Sequence, residues 1–378
     1  LPFDKKIVIE IEKEASRVKK QFKQLIVIGI GGSDLGARTI WQAIGDMEKG
    51  VTLRFLSNPD PEEIAHFAKK ADWWKKTAIL VVSKSGSTLE TMSIFMTLRQ
   101  ALIKSVGVKK HNKHIWTITD PKEGILLEIA RKNNYTIINH PLNVGGRFSV
   151  LSSVGLFPAA CGGVDIRGLL AGARSIENNH RKLGAKSDPA LFAALHYLAY
   201  EKRKQTVHVL MPYANSLQNF GFWYRQIWAE SLGKRKGKRS IGPTPVAALG
   251  SVDQHSQIQL YNEGIADKVI TFIKVKTFRS DISVPKIWKN ISGIEYIGGQ
   301  SFKAIMDAEL EGTAHALKKS KTPNGMLVIP SISPESLGAL FQFYEIATAY
   351  MGELFGINTF NQPGVEEGKK KTKEILVK

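Results

Sequence analysis

A turn rich in hydroxyl groups follows a short apolar run near residue 80. The run, Ile79–Val82, contains β-branched residues that favour a buried strand of a parallel sheet. The turn consists of Ser83, Lys84, Ser85, Gly86, Ser87 and Thr88. Because a helix is predicted directly after it, unpaired N–H groups, four hydroxyls and one ammonium group would face the same ligand. Serine and threonine also serve as ordinary helix caps, but this density of donors indicates a site for a phosphate monoester.

Three other side chains are candidates for binding an anion or transferring a proton. Arg147 lies in a glycine-containing loop, where it would either meet an anion or face solvent. Glu230 comes near the end of a helix predicted over Leu217–Ser231, where the helix dipole disfavours an acid. It is either an exposed charge at a fraying end or a partly desolvated carboxylate whose raised pKa suits a general base. His255 is predicted in the first turn of a helix that ends at Asn262, as a capping, core or functional histidine.

Strands and helices alternate along the chain, which is typical of a doubly wound parallel sheet. Such sheets bind ligands at the carboxyl ends of their strands, so the hydroxyl-rich turn and a glycine turn at Gly29–Gly36 would share one edge. The glycine turn invites a dinucleotide-binding interpretation, but its sixth position is Asp34 instead of a small residue. No acid ends the next predicted strand, Thr52–Leu56, to hold a ribose, so we do not expect a dinucleotide site.

The composition is that of a globular protein, with 378 residues of which 43% are hydrophobic and 23% charged. The single cysteine, Cys161, excludes a disulfide framework and a multi-cysteine metal site, and it suits a reducing cytoplasm. The sequence has no run of about 18 apolar residues that would span a membrane and no signal-peptide core at its start. The net charge of +19 would suit an anionic substrate. No nucleic-acid-binding motif accompanies the lysines, so we expect neither a nucleic-acid nor a membrane partner.

Five groups of residues together resemble the phosphoglucose isomerase family, in the family's order and across nearly the whole chain. They are GIGGSDLG at 29–36, VVSKSGSTLET at 81–91, NVGGRFS at 143–149, QIWAESLGK with DQHSQ at 226–234 and 253–257, and NQPGVEEGKK at 361–370. Each segment alone is a weak signal, but the combination is highly specific.

The resemblance implies an α/β fold with two sugar isomerase (SIS) domains, each a parallel sheet flanked by helices, and a C-terminal helical arm. The expected segments are an N-terminal helix at 1–20, the first SIS domain with the phosphate turn at 21–160, a helical connector at 161–190, the second SIS domain at 191–333, and the C-terminal helical arm and tail at 334–378. Inside the second domain, the local pattern predicts a loop at Gly242–Pro245 and a strand at Ile294–Ile297.

The resemblance also implies an isomerase of glycolysis and gluconeogenesis that needs no cofactor and no metal. It would interconvert glucose 6-phosphate and fructose 6-phosphate through a cis-enediol. Glu230 would move a proton between C1 and C2 of the sugar, and His255 would help to open the sugar ring. Lys369 would assist near the ring oxygen, and Arg147 would stabilise the enediolate. The positions that match the family's phosphate grip and substrate lining are Ser83, Lys84, Ser85, Thr88, Gly32, Ser33 and Gln362.

The family's chains form homodimers in which the histidine that matches His255 enters the partner subunit's site. We therefore expect a cytoplasmic homodimer with His255 acting in trans. One alternative is a non-catalytic SIS regulator that binds a sugar phosphate, which would need the phosphate turn but none of Glu230, His255 and Lys369. Another is the isomerase half of an amidotransferase that makes glucosamine phosphate. That protein would carry a glutamine-hydrolysing domain beginning with cysteine, whereas residue 1 is leucine here.

Overall fold

Strands alternate with helices through most of the chain, as the sequence pattern predicts. The computed structural model describes residues 2–70 and 72–377, and the chain divides into two compact units. The units are Leu1–Asn178 with Ile332–Gln342, and Asn179–Ser331 with Phe343–Lys378. The expected domain boundaries stay predictions. No helix in the two described stretches is long and apolar enough to cross a membrane.

The first unit contains one five-stranded parallel sheet. Its strands are β1 (Gln24–Ile28), β2 (Thr52–Leu56), β3 (Thr77–Val82), β4 (Ile115–Thr119) and β5 (Thr136–Asn139). Its helices are α1 (Lys5–Gln21), α2 (Leu35–Ile44), α3 (Pro61–Ala68), α4 (Leu89–Val106), α5 (Ile125–Lys132), α6 (Ser153–Cys161) and most of α7 (Ile166–Leu183). The strand order is β2-β1-β3-β4-β5.

The middle of this sheet is buried because its strands are continuous apolar runs. Every residue of β1, β3 and β4 is buried, and Ile26 of β1 lies in register between Arg54 of β2 and Ile79 of β3. Such runs are typical of parallel strands that are covered on both faces. All five strands point the same way, so the turns after β1, β3 and β5 lie along one edge of the sheet.

The second unit contains a four-stranded parallel sheet and a short antiparallel hairpin. Its strands are β6 (Val207–Pro212), β7 (Lys234–Lys236), β8 (Arg239–Ile241), β9 (Thr244–Ala247), β10 (Lys268–Thr277) and β11 (Asn324–Ser331). Its helices are α8 (Asp188–Arg203), α9 (Gln218–Leu232), α10 (Ile258–Glu263), α11 (Phe302–Lys319), the greater part of α12 (Pro334–Phe355) and α13 (Glu366–Leu376). The sheet order is β11-β10-β6-β9, and β7 pairs with β8. The predicted α/β class with parallel, helix-flanked sheets is confirmed.

Three local predictions for the second unit are wrong. The predicted loop at Gly242–Pro245 runs into β9, which tolerates Pro245 because an edge strand needs no N–H on its outer side. The predicted strand at Ile294–Ile297 is a turn, closed by a bond of 3.1 Å from the Ile297 N–H to the Ile294 carbonyl. His255 ends a separate 3₁₀ helix, Val252–His255, that precedes α10.

Candidate active site

The hydroxyl-rich turn after β3 is tightly folded around one glycine. Gly86 has a φ of +70°, and a Cβ built on it would stand 2.1 Å from the Leu126 backbone nitrogen, so only glycine fits there. The buried Ser83 Oγ accepts a hydrogen bond from the Gly86 N–H at 3.0 Å and lies 3.1 Å from Thr88 Oγ1. The turn is therefore held by its own hydroxyls.

The N-terminus of α4 is left without a side-chain cap in the described structure. Thr88 is the residue before the helix, yet its hydroxyl pairs with Ser83 and makes no capping bond. Ser85 and Ser87 are exposed, and the Ser87 hydroxyl donates to Ser85 Oγ at 3.0 Å. The first-turn N–H groups of α4 and these exposed hydroxyls are thus donors at one helix start, an arrangement that suits an oxyanion.

The arginine loop after β5 approaches the glycine turn after β1. Arg147 lies in a 3₁₀ helix, Gly146–Phe148, and is only 3% exposed. A Cβ built on Gly32 would stand 2.1 Å from the Gly146 carbonyl carbon, so the two turns touch only because residue 32 is glycine. The structure thus brings Gly32 and its neighbour Ser33, in the 3₁₀ helix Gly31–Ser33, to the Arg147 turn.

Two further contacts lie at this edge of the sheet, one made by Lys84 and one made by Asp34. The Lys84 ammonium donates to the Leu142 carbonyl at 2.6 Å, which ties the hydroxyl-rich turn to the segment before Arg147. The buried Asp34 forms an ion pair of 3.0 Å with Arg38 on α2. Burial raises the pKa of Asp34, and the Arg38 guanidinium opposes that rise. Asp34, which stands where a dinucleotide fingerprint has a small residue, is therefore part of a structural ion pair.

Glu230 lies on the last turns of α9 in the second unit, where it is half-buried. Gln226, one turn earlier, donates from Nε2 to Glu230 Oε1 at 3.1 Å. Lys234 follows the helix, and its ammonium donates to the Glu230 carbonyl oxygen. A cation at this place also stabilises the negative end of the helix dipole. Gln226 thus orients the Glu230 carboxylate, and Lys234 binds the backbone of the same residue.

A cavity of about 810 Å³ opens beside Glu230. The basic β7 side chains Lys234, Arg235 and Lys236 line it, and so does Gln362, which was predicted to line the substrate. The contacts of Gln226 and Lys234 with Glu230 were not predicted. Their spacing of four residues from Glu230 on a helical pattern is the signal that could have found them.

His255 and Lys369, two of the three predicted catalytic residues of this unit, are exposed on two other elements. His255 is exposed at the end of its 3₁₀ helix. Lys369 is exposed on α13, where its ammonium pairs with Glu366 Oε1 at 2.8 Å. The cavity lining found in the described part of the chain includes neither of them. Within residues 2–70 and 72–377, no group of three or more histidine, cysteine, aspartate or glutamate side chains is placed to hold a metal ion.

Comparisons with known proteins give matches along the whole chain. The profile of the phosphoglucose isomerase family matches residues 9–378. A glucose-6-phosphate isomerase of Carboxydothermus hydrogenoformans is 40% identical over 383 aligned positions, which cover 98% of this chain and 82% of that protein.

Two solved structures are also similar to the chain. A hypothetical protein from Thermus thermophilus has a TM-score of 0.93 and 35% identity, with 100% of this chain and 89% of that one covered. A glucose-6-phosphate isomerase from Chlamydia trachomatis has a TM-score of 0.85 and 26% identity, with 98% and 73% covered.

Proposed function

This chain belongs to the phosphoglucose isomerase family, and we propose that it interconverts glucose 6-phosphate and fructose 6-phosphate without a cofactor. The reaction belongs to glycolysis and gluconeogenesis. The observation that carries the proposal is the half-buried Glu230, held by Gln226 at the wall of an open cavity in a segment that carries the family's motif. An aldose–ketose conversion needs such a fixed base next to a space for the sugar.

Glu230 acts as the base that moves hydrogen between the two carbons. Its carboxylate removes the proton from C2 of the open-chain aldose while O1 gains a proton, which gives a cis-enediol. The O2 hydroxyl then loses its proton, and Glu230 returns the carbon-bound proton to C1, so the ketose forms with no change in overall oxidation state. The hydrogen bond from Gln226 supports this role because it orients the carboxylate without neutralising it.

The sugar phosphate group binds at the turn after β3. Ser83, Lys84, Ser85 and Thr88 form the grip, and the uncapped start of α4 supports the assignment because its N–H groups attract an oxyanion. Arg147 carries the positive charge that stabilises the enediolate. Gly32, Ser33 and Gln362 line the substrate, His255 assists ring opening, and Lys369 assists near the ring oxygen.

We infer further that the protein is a cytoplasmic homodimer in which each subunit contributes its His255 to the active site of the other. Two observations support the shared site. His255 is exposed, and it lies outside the lining of the cavity beside Glu230. A histidine in that position would reach a site by crossing a two-fold interface, which an isologous dimer allows.

The reaction is tested with purified protein and fructose 6-phosphate, with no nucleotide or metal added. Glucose 6-phosphate is measured in quenched aliquots by a separate coupled assay. We expect it to form until the two sugars reach equilibrium. The protein is prepared from a host that lacks its own isomerase, and Glu230→Gln prepared in the same way controls for contamination. Tight binding of fructose 6-phosphate with no conversion would instead establish the non-catalytic regulator.

A further inference from the structure

The 3₁₀ helix Val252–His255 has one side that faces the protein and one side that faces solvent. His255, its last residue, is exposed. Gln254, the residue before it, contacts two buried side chains, Tyr213 and Thr313. Successive residues of a 3₁₀ helix point about 120° apart, because the helix has three residues per turn. The inward direction of Gln254 therefore goes together with the outward direction of His255.

The side-chain amide of Gln254 lies among three oxygen atoms. Its Nε2 is 2.6 Å from Tyr213 Oη, 2.6 Å from Thr313 Oγ1 and 3.0 Å from the Glu309 carbonyl oxygen. A carbonyl oxygen can only accept a hydrogen bond, so the atom that faces it is the amide nitrogen. Tyr213 directly follows β6, and Glu309 and Thr313 are one turn apart on α11. One side chain thus connects the 3₁₀ helix both to the end of a strand and to a helix.

Asp253 adds a second set of contacts to the same 3₁₀ helix. Its Oδ2 accepts a hydrogen bond from the Leu249 N–H at 2.7 Å, and its Oδ1 accepts one from Ser256 Oγ at 2.5 Å. The carboxylate therefore joins the segment before the helix to the residue that follows His255. These bonds are local, whereas the bonds of Gln254 reach other elements of the second unit, so Gln254 is the link between His255 and the core.

We propose that Gln254 is a positioning residue for His255, an inference that rests on the proposed function, in which His255 assists ring opening. Ring opening breaks the C1–O5 bond of the cyclic aldose, while O5 gains a proton and the O1 hydroxyl loses one. An imidazole that exchanges these protons must lie within hydrogen-bond distance of the oxygens. Because His255 itself is exposed, the contacts of its neighbour with buried side chains hold its backbone in place. The argument is the same whether His255 acts in its own subunit or in a partner.

Anomer exchange measures ring opening without proton transfer at C2. The α and β anomers of glucose 6-phosphate interconvert through the open chain, and NMR exchange spectroscopy gives the rate that the enzyme adds. Gln254→Met keeps the length of the side chain and removes the amide. We expect it to lower this rate by about 10- to 100-fold, because displacement of a catalytic group by about 1 Å can cost about 100-fold. Gln259→Met, at an exposed position on α10, is the matched control and should keep the wild-type rate.

An analogue that cannot cyclise separates ring opening from proton transfer. A glucose 6-phosphate analogue without the hydroxyls at C4 and C5 cannot close a five- or six-membered ring, so its C2 proton is available without ring opening. In D₂O, Gln254→Met should exchange this proton at the wild-type rate. Glu230→Gln should show the reverse pattern, with normal anomer exchange and slow exchange at C2. A loss of folded protein would lower both reactions in proportion, so the ratio of the two rates does not depend on the folded fraction.

Thr313→Val tests whether the effect passes through the proposed contact. It removes one of the three oxygens and keeps the shape of the side chain. If Gln254 acts through that oxygen, the double variant Gln254→Met with Thr313→Val should be about as slow in anomer exchange as Gln254→Met alone. Independent effects of the two substitutions would instead multiply.

The proposal is overturned if Gln254→Met exchanges the anomers at the wild-type rate, if it loses both reactions equally, or if the two substitutions act independently. Conversion of fructose 6-phosphate by the wild-type protein is measured separately. A failure of the positioning role therefore stays distinguishable from a failure of the proposed isomerase reaction.

Discussion

Gln226 Nε2 donates a hydrogen bond of 3.1 Å to Glu230 Oε1, one turn further along α9. The amide fixes the orientation of the carboxylate and leaves its charge in place. We expect Gln226→Met, which keeps the length of the side chain, to lower kcat by about 10- to 100-fold, as for a lost hydrogen bond of about 1.5–3 kcal/mol to a charged group.

The control for this variant is Gln259→Met. Gln259 makes the same four-residue contact with Glu263 on α10, but both are exposed. Steady-state kinetics should show normal kcat for Gln259→Met. A normal kcat for Gln226→Met as well would mean that Glu230 needs no such support.

The phosphate turn is tested by removing two of its hydroxyls. Ser85→Ala with Thr88→Ala should raise KM for fructose 6-phosphate by about 10-fold or more, because hydrogen bonds to a charged phosphate are lost. The pH dependence of kcat should change little, since neither hydroxyl is proposed to move a proton. Ser93→Ala with Thr97→Ala, at exposed positions on the same helix, is the matched control. An unchanged KM in the first double variant would remove the turn from the binding site.

Sharing of His255 between subunits is tested by complementation. Inactive Glu230→Gln and His255→Ala are mixed in equal amounts under conditions that exchange subunits. If the site is shared, a mixed dimer has one site with both defects and one intact site. Random mixing makes half of the dimers mixed, so activity should return to about a quarter of wild type. Exchange is confirmed with a mass tag on one variant, and confirmed exchange without activity means that each subunit uses its own histidine.

Two buried histidines predict how stability depends on pH. His196 Nδ1 lies 3.2 Å from His208 Nδ1 in the second unit. Burial lowers the pKa of His196 to about 3 and the pKa of His208 well below its ordinary value. Below about pH 6.5 the unfolded chain therefore binds more protons than the folded one. The free energy of unfolding should fall as the pH falls from 6.5 towards 3, with each histidine contributing about 1.4 kcal/mol per pH unit.

Urea denaturation at pH 7, 6 and 5 measures this dependence. His196→Asn should have a shallower dependence than wild type between pH 6 and 5. His66→Gln, which removes an exposed histidine on α3 outside this pair, is the matched control. Equal slopes for His196→Asn and wild type would show that His196 is protonated in the folded protein.

Periodicity and turn chemistry predict most of the fold, because the central strands are continuous apolar runs. The pattern places β2 at its observed bounds, and it identifies the turn around Gly86 from residue types alone. It fails at β9, because a proline usually indicates a loop. The sequence does not show that Pro245 lies on an edge strand, where proline is tolerated. It also fails at Ile294, where apolar residues form turns instead of a strand.

The sequence predicts the candidate site only where the site residues are close together along the chain. The hydroxyls of the turn after β3 stand together in the sequence, and Gln226 and Glu230 are only four residues apart. The approach of Gly32 to Gly146 joins residues more than a hundred positions apart, and the strands that precede them, β1 and β5, are not neighbours in the sheet, so the sequence pattern does not show this contact. The sequence also does not predict which leucines of α8 are exposed, because the run LFAALHYL is apolar on most sides of the helix.

Transfer of the C2 proton by Glu230 is tested most directly by hydrogen exchange in D₂O. Wild-type protein and Glu230→Gln are each incubated with glucose 6-phosphate, and NMR follows deuterium at C2 of the recovered glucose 6-phosphate together with the formation of fructose 6-phosphate. The proposed mechanism predicts that wild type introduces deuterium while it isomerises the sugar, and that Glu230→Gln lowers both rates by about 10²- to 10⁴-fold. Near-normal exchange and conversion by folded Glu230→Gln would contradict it, because another residue would then be the base.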